Sequence, residues 1–433
     1  MIAFFFLFFV AIPANTQIDQ VTFPFGSVYS AEQLVNTYIL LAVAQVAYLL
    51  GSRAAGLRRP HPDRIYAGLE PSAALTFGVT LISLSLALGG AVGPAALFAM
   101  RGDTADSAGS DEGIQTQLLF MGRSLSLVAL LVVLLVFIRS TSIDRRRISL
   151  WVALCTAAAT CLILNFPPAL PRFQLLGALL AVCAPLLNLF RPIIKALFTA
   201  LSVVFLFFLF PAIKALGSGR SIDVAAAFTN DVSGYLLRVD FDAFKQMADT
   251  IIYLQNQPLR FGENFLGVLL FWVPRSAWPD KPIPSGALVS SALGYPYTNV
   301  SSPLPAEAVL GFGPIGVLAV LGALGVLVAH VEAQVLRTWR TKIISTPVIF
   351  YALLIGFSTI IMRGALNSVA PMFMTAFAAY FCLRVLAQKR SRTLHSRTLA
   401  PSGSLHVPHQ TPAAPPPPRL GTGWRRSQKP LDE

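Results

Sequence analysis

Apolar runs long enough to cross a bilayer recur along this chain, and a hydrocarbon core of about 30 Å, needing roughly 20 apolar residues per helix, sets what such runs become. Ten candidate spans fall near residues 1–12, 34–50, 72–92, 118–138, 149–165, 173–190, 194–216, 311–330, 347–362 and 370–387. The first is short and carries no charged leader. It reads as a clipped first helix, with a misassigned start or the apolar part of a signal sequence as the alternatives. Charged residues make up 12% of the chain against 55% hydrophobic ones, about half the charged fraction of a soluble domain, so the expected fold is an all-α polytopic membrane protein of about ten helices. Four regions follow: membrane helices over 1–216, one large polar loop over 217–310, further membrane helices over 311–388, and a basic, proline-rich tail over 389–433 expected to be disordered.

The net charge of +13 is explained by orientation. Placed on alternating sides of the spans, 22 of the 33 basic residues fall on the side of both termini and 9 on the side of the loop. The more basic side is cytoplasmic by the positive-inside rule, which puts both termini inside and the loop outside. No nucleic-acid partner is expected, because the excess charge lies in short loops and the tail. Cys155, Cys161, Cys183 and Cys382 all sit in apolar runs without CxxC spacing and read as small hydrophobes.

Within the loop, residues 265–273 are apolar but too short to cross, and read as re-entrant or interfacial. Before them, Phe241, Phe244, Met247, Ala248, Ile251 and Ile252 repeat at helical spacing, with Asp240, Asp242, Lys245 and Asp249 on the opposite face. That pattern predicts an amphipathic helix lying on the membrane surface or capping the bundle.

Chemistry is expected where charge abuts apolar runs. Arg275, Lys281 and Arg363 each do so, and each needs an anion or a wet cavity. A diphosphate at headgroup level suits them, the arginine fork and the lysine point charge balancing what grows on a departing pyrophosphate. The plainer reading is that Arg275 and Lys281 snorkel to lipid phosphates or pair with Asp280. Pro274, Pro279, Pro282 and Pro284 restrict the backbone around them and favour a positioned pair. Trp278 is an interfacial anchor, a packing residue or a sugar platform. Glu307 either favours a helix N-terminus or accepts a proton from a sugar hydroxyl. Gly311, Gly313 and Gly316 read as packing glycines. Protease and esterase motifs are absent, and metal binding at Asp240-Phe-Asp242 is a minor alternative, so no metal or cofactor is expected.

Pro274-Arg275, Trp278, Lys281-Pro282, Glu307, Phe312-Gly313 with Gly316, and Arg363-Gly364 together resemble the O-antigen polymerase family, the Wzy-type oligosaccharide repeat-unit polymerases of bacterial envelopes. The resemblance covers about residues 235–385, with Ala306, Val309 and Gly311 standing where Gly, an aromatic and Asn are expected. It implies a GT-C-like glycosyltransferase that joins polyprenyl-diphosphate-linked oligosaccharides outside the cytoplasmic membrane, working among membrane lipids with a chain-length regulator and a flippase as partners. Arg275, Lys281 and Arg363 would then hold the diphosphate, Glu307 would act as base or orient the hydroxyl, and Trp278 would meet sugar or interface. A glycan ligase, a lipid-linked oligosaccharide flippase or transporter, and a non-catalytic assembly subunit are the competing readings.

Overall fold

The computed structural model describes residues 6–24, 27–57, 68–98, 112–141, 143–205, 234, 236–237, 241–298, 300–339 and 343–399. A π-helical turn, Leu7–Ala11, runs into α1 (Ile12–Asp19). There follow α2 (Ala31–Leu57), α3 (Pro71–Val92), α4 (Pro94–Phe98), α5 (Glu112–Arg139), α6 (Ile148–Leu164), α7 (Arg172–Cys183) and α8 (Pro192–Val204). The loop contributes α9 (Ala243–Asn256), α10 (Glu263–Leu269) and α11 (Ser285–Ala292), and the chain closes with α12 (Leu304–Trp339), α13 (Thr346–Ile361) and α14 (Leu366–Leu399). Regular structure among the described residues is helical throughout, apart from one isolated bridge between Leu69 and Ile344. Residues Met1–Ser391 make one compact unit.

Six of the described helices are long and apolar enough to cross a membrane: Ala31–Gly56, Pro71–Val92, Ile114–Arg139, Ile148–Ala169, Leu304–Trp339 and Leu366–Gln388. Several leave large apolar side chains outward, such as Ile39 and Leu50 on α2, Leu84 on α3, Val152 on α6 and Ile315 on α12. In water so broad an apolar belt would aggregate; against lipid it is the ordinary outer face of a multi-pass helical protein. The remaining expected spans are shorter. The run at 173–190 stays helical only to Cys183, and the run at 347–362 becomes the 16-residue α13, buried nearly along its whole length. Of the run at 194–216, the helix Pro192–Val204 is described and residues 206–216 lie outside the described residues.

α5 lies at the centre, with Leu125 to Val133 buried without a break. Around it, neighbours approach through small residues, because lipid tails give helices no hydrophobic reason to associate and close backbone packing must supply the attraction. A Cβ on Gly51 of α2 would stand 2.1 Å from the carbonyl oxygen of Gly322 on α12, and one on Gly325 equally close to that of Tyr48. α7 and α13 meet the same way at Gly177 and Gly356.

Helix ends meet at both ends of the bundle. At one end of the bundle the Arg139 guanidinium donates to the Trp339 carbonyl and Leu69 bridges Ile344. At the other, the loop segments close over the starts of α12 and α14. Two expectations change. α14 continues as a helix to Leu399 instead of giving way at Lys389, with no proline between Pro371 in its second turn and Pro401. α9 caps the bundle, but its charged face is not turned to solvent: Phe244, Lys245, Met247 and Asp249 are all fully buried.

Candidate functional site

The loop is fastened to the bundle through a break in α12. Gly313 adopts φ 67°, ψ −162°, which only glycine takes without strain, and Pro314 follows it. Pro314 has no N–H for the Leu310 carbonyl four residues back. That oxygen accepts instead from the Arg260 N–H at 3.0 Å, and the Gly311 carbonyl accepts from the Gly262 N–H at 3.1 Å. The break therefore creates two acceptors, and the chain entering α10 fills both. Gly311 and Gly316 pack as expected, a Cβ on either meeting Asn264 or the Ala308 carbonyl within 3 Å.

Before the break, residues Leu304–Gly311 are buried, and Glu307 among them is 1% exposed. Its Oε2 accepts from Asn264 Nδ2 at 2.7 Å and from the Ser285 hydroxyl at 2.6 Å, and its Oε1 from the Leu366 N–H at 3.1 Å. Leu366 opens α14, and Glu307 lies in the first turn of α12, so two helix N-termini share one carboxylate. Their partial positive charge stands where a cation would otherwise be needed. Asn264 belongs to α10 and Ser285 to α11. Glu307 is thus a clamp that ties both ends of the intervening segment to the bundle, with both carboxylate oxygens engaged.

The clamped segment is the proline-rich turn. Arg275 is exposed and donates from Nη1 to the Lys281 carbonyl at 2.8 Å, closing the turn on itself. Lys281 Nζ points back and donates to the Phe271 and Val273 carbonyls, at 2.6 and 2.8 Å, which end the apolar run. Burial, and then the charge of Arg275, lower the Lys281 pKa. Trp278 is half-buried within the turn, and Trp272, 66% exposed, is the more open indole beside Leu266, Leu269 and Phe261. An apolar ledge next to two cations is what a headgroup-level surface requires.

Arg363 stands apart from the turn, with no described contact to Arg275 or Lys281. Its guanidinium lies 4.2 Å over the Phe173 ring, its Nε is 3.7 Å from Asp242 Oδ1, and its carbonyl accepts from the Ser302 N–H at 3.0 Å. The side chain keeps 22% of its surface exposed, while Asp242 is at 1%. Burial pushes the Asp242 carboxyl above the usual carboxylate range, and Arg363, Ser301 and Lys245 pull it partly back. One turn on, Lys245 pairs with Asp249 in full burial, and Asp249 Oδ1 also accepts from the Tyr29 hydroxyl at 2.7 Å and the Tyr295 hydroxyl at 3.0 Å. Lys245 Nζ lies 4.2 Å over the Tyr295 ring. The Tyr295 hydroxyl is pushed up to about 12 by burial and that of Tyr29 higher still, so both stay donors.

The structure joins Glu307 to the chain three residues beyond Arg363 and, through Asn264 and Ser285, to the turn bearing Arg275, Trp278 and Lys281. Sequence reading missed the Asp242, Lys245, Asp249, Tyr29 and Tyr295 network. The lysine and aspartate sit four residues apart on one helix face, and that spacing was its single signal. Asp240 and the loop residues Arg220, Asp223, Asp231 and Arg238 lie outside the described residues. Among the described residues no three histidine, cysteine or carboxylate side chains gather as a metal site would require. No family model, curated protein or solved structure matches the chain. The resemblance to O-antigen polymerases rests on the loop residues themselves.

Proposed function

We propose that this chain is a membrane glycosyltransferase that moves a growing glycan from its polyprenyl diphosphate carrier onto the next lipid-linked oligosaccharide. In this reading it is a GT-C-like enzyme of about ten spans in a bacterial inner membrane, with the loop periplasmic. The observation that carries it is the clamp at Glu307, which holds a cationic, proline-braced turn and the Arg363 segment at one end of an apolar bundle. An attacking sugar hydroxyl would form the new bond to the anomeric carbon as the carbon–oxygen bond to the diphosphate breaks. The hydroxyl proton leaves, and the carrier's diphosphate, with one negative charge on each phosphate before the transfer, departs with a third on the oxygen that held the sugar.

Arg275, exposed with most of its fork unspent, meets the diphosphate first, and Arg363 supplies the second cation, steered by Asp242 and Phe173. Lys281 stabilises the turn through two carbonyls and adds positive field. Glu307 positions, and Trp278 with Trp272 borders the sugar or the interface. Cations alone suffice to balance the leaving group, so the reaction needs no cofactor. Asp242, Lys245, Asp249, Glu307 and Arg363 gather at one end of the bundle, which supports chemistry at a headgroup, and Arg123 is a further buried charge away from that end.

The test is a strain that makes such a polymer. Loss of the protein should leave single lipid-linked repeat units accumulating on the outer face; accumulation on the inner face would instead identify a flippase. Arg275→Ala and Arg363→Ala, each present at normal level, should make no full-length polymer. Full-length product from either variant removes that arginine from the diphosphate site. Near-normal activity of Arg275→Lys would mean that charge alone, and not the two-pronged contact, is used.

A further inference from the structure

A second buried cation lies away from the loop. Arg123, on the central helix α5, is 4% exposed, although it stands inside a membrane-spanning segment. Its Nε donates to the Leu164 carbonyl at 3.0 Å, and its guanidinium carbon is 5.9 Å from the Phe120 ring centre. Among the described residues no carboxylate pairs with it. A guanidinium does not give up its proton in a protein, so a full charge is buried there. One carbonyl and a distant ring balance little of it.

Arg123 lines a cavity between α5, α7, α13 and α14, together with Asn165, Gln174, Gly356, Phe357 and Met372. Gln174 is 9% exposed, and its Oε1 is buried without a hydrogen-bond partner. The Ser124 hydroxyl and the Asn165 amide nitrogen of the lining are spent. The Ser124 hydroxyl donates to the Met372 carbonyl at 2.7 Å, and Asn165 Nδ2 donates to the Arg123 and Cys161 carbonyls and to the Ser126 hydroxyl. The guanidinium and the Gln174 amide are left facing the space. The cavity volume, about 20 Å³, is enough for one water or one ion of similar size.

We propose that this cavity binds a halide-sized monovalent anion, chloride in the cell, between the Arg123 guanidinium and the Gln174 amide. Size admits water or halide, and charge decides between them: a water would satisfy dipoles but leave the buried cation without a counter-ion. A half-turn of the Gln174 amide about its terminal bond brings Nε2 into the place of Oε1, so the residue becomes a second donor. The ion then neutralises Arg123 where α5, α7, α13 and α14 meet, and its role is to hold those helices together. It is independent of the proposed glycosyl transfer.

The purified full chain in detergent gives the test. Its thermal midpoint is followed as sodium gluconate is replaced by sodium chloride at constant ionic strength. The expected result is a saturable rise, reproduced by bromide and absent with sulfate. Gln174→Leu, which keeps Arg123, should weaken the halide response roughly tenfold or more, as the loss of one buried donor to an anion would. Arg123→Gln, if it folds, should abolish it. Equal midpoints in gluconate and chloride overturn the proposal, as does an identical halide response in wild type and Gln174→Leu.

Discussion

Glu307→Ala removes the acceptor shared by Asn264, Ser285 and the Leu366 N–H at a point that is 1% exposed. Each buried donor left without a partner costs about 1–3 kcal/mol. The full sum is not reached, because Asn264 Nδ2 keeps its 3.0 Å bond to the Glu307 carbonyl, deletion also relieves the desolvation of the carboxylate, and Ser285 is free to turn. A loss of about 3–5 kcal/mol, typical when one side of a buried charged contact is removed, is the expectation. Glu307 ties α10 and α11 at the two ends of the turn, so the loss should appear first as local opening of residues 263–292. At about 1.4 kcal/mol per tenfold, the opening constant should rise roughly a hundredfold to several-thousandfold. Amide hydrogen exchange read by mass spectrometry, on protein in nanodiscs, measures this directly, with peptides of α5 as the internal reference. Glu307→Gln, which keeps the volume but turns an amide NH2 group toward at least one donor, should fall between. If peptides over 263–292 exchange at wild-type rates in Glu307→Ala while the protein stays folded, the clamp is not what holds the turn.

Other perturbations follow from the same geometry. Lys245→Ala leaves Asp249 buried against two tyrosines with its cation gone and should cost about 3–5 kcal/mol by chemical denaturation, whereas the paired change Lys245→Met with Asp249→Leu should recover much of that loss; equal damage from both would show that the charges matter less than the volume. Gly51→Ala puts a Cβ 2.1 Å from the Gly322 carbonyl oxygen, so α2 and α12 must separate at a cost of about 1–3 kcal/mol, and an unchanged thermal midpoint would refute that close approach. Because burial raises the Asp242 pKa, its contribution to stability is whole below the ordinary carboxylate value near pH 4 and is lost as pH rises through the elevated one. The midpoint of Asp242→Asn relative to wild type should therefore improve from acid to neutral pH, and a difference that does not vary with pH would contradict the shift.

The apolar runs behind α2, α3, α5, α6, α12 and α14 were legible because a membrane span is a local property: length and hydropathy suffice. α13 was found at nearly the right boundaries, Thr346–Ile361 against 347–362, yet hydropathy could not tell a lipid-facing helix from one enclosed by its neighbours. The spacing predicts α9 as a helix but gives no sign that its charged face is buried. A helix that is charged on one side reads as solvated unless its partners are known, and here they stand far along the chain, Tyr29 220 residues before Asp249 and Arg363 on the far side of α12 in sequence from Asp242. The same limit applied to Glu307. Its place in a first helical turn was visible, but the Leu366 N–H and the Ser285 hydroxyl that engage it come from segments no periodicity connects. Gly313 was read as packing, since the broken helix that needs its positive φ shows only in three dimensions.

The central claim, that cations at the loop end of the bundle grip the phosphates of a sugar-bearing lipid, is tested most directly by reconstitution. Purified protein in liposomes carrying a polyprenyl-diphosphate-linked oligosaccharide should convert single units into a ladder of longer lipid-linked glycans, with free carrier diphosphate released. Arg363→Ala, equally folded and inserted, should yield neither. A ladder of wild-type length from Arg363→Ala would contradict the account.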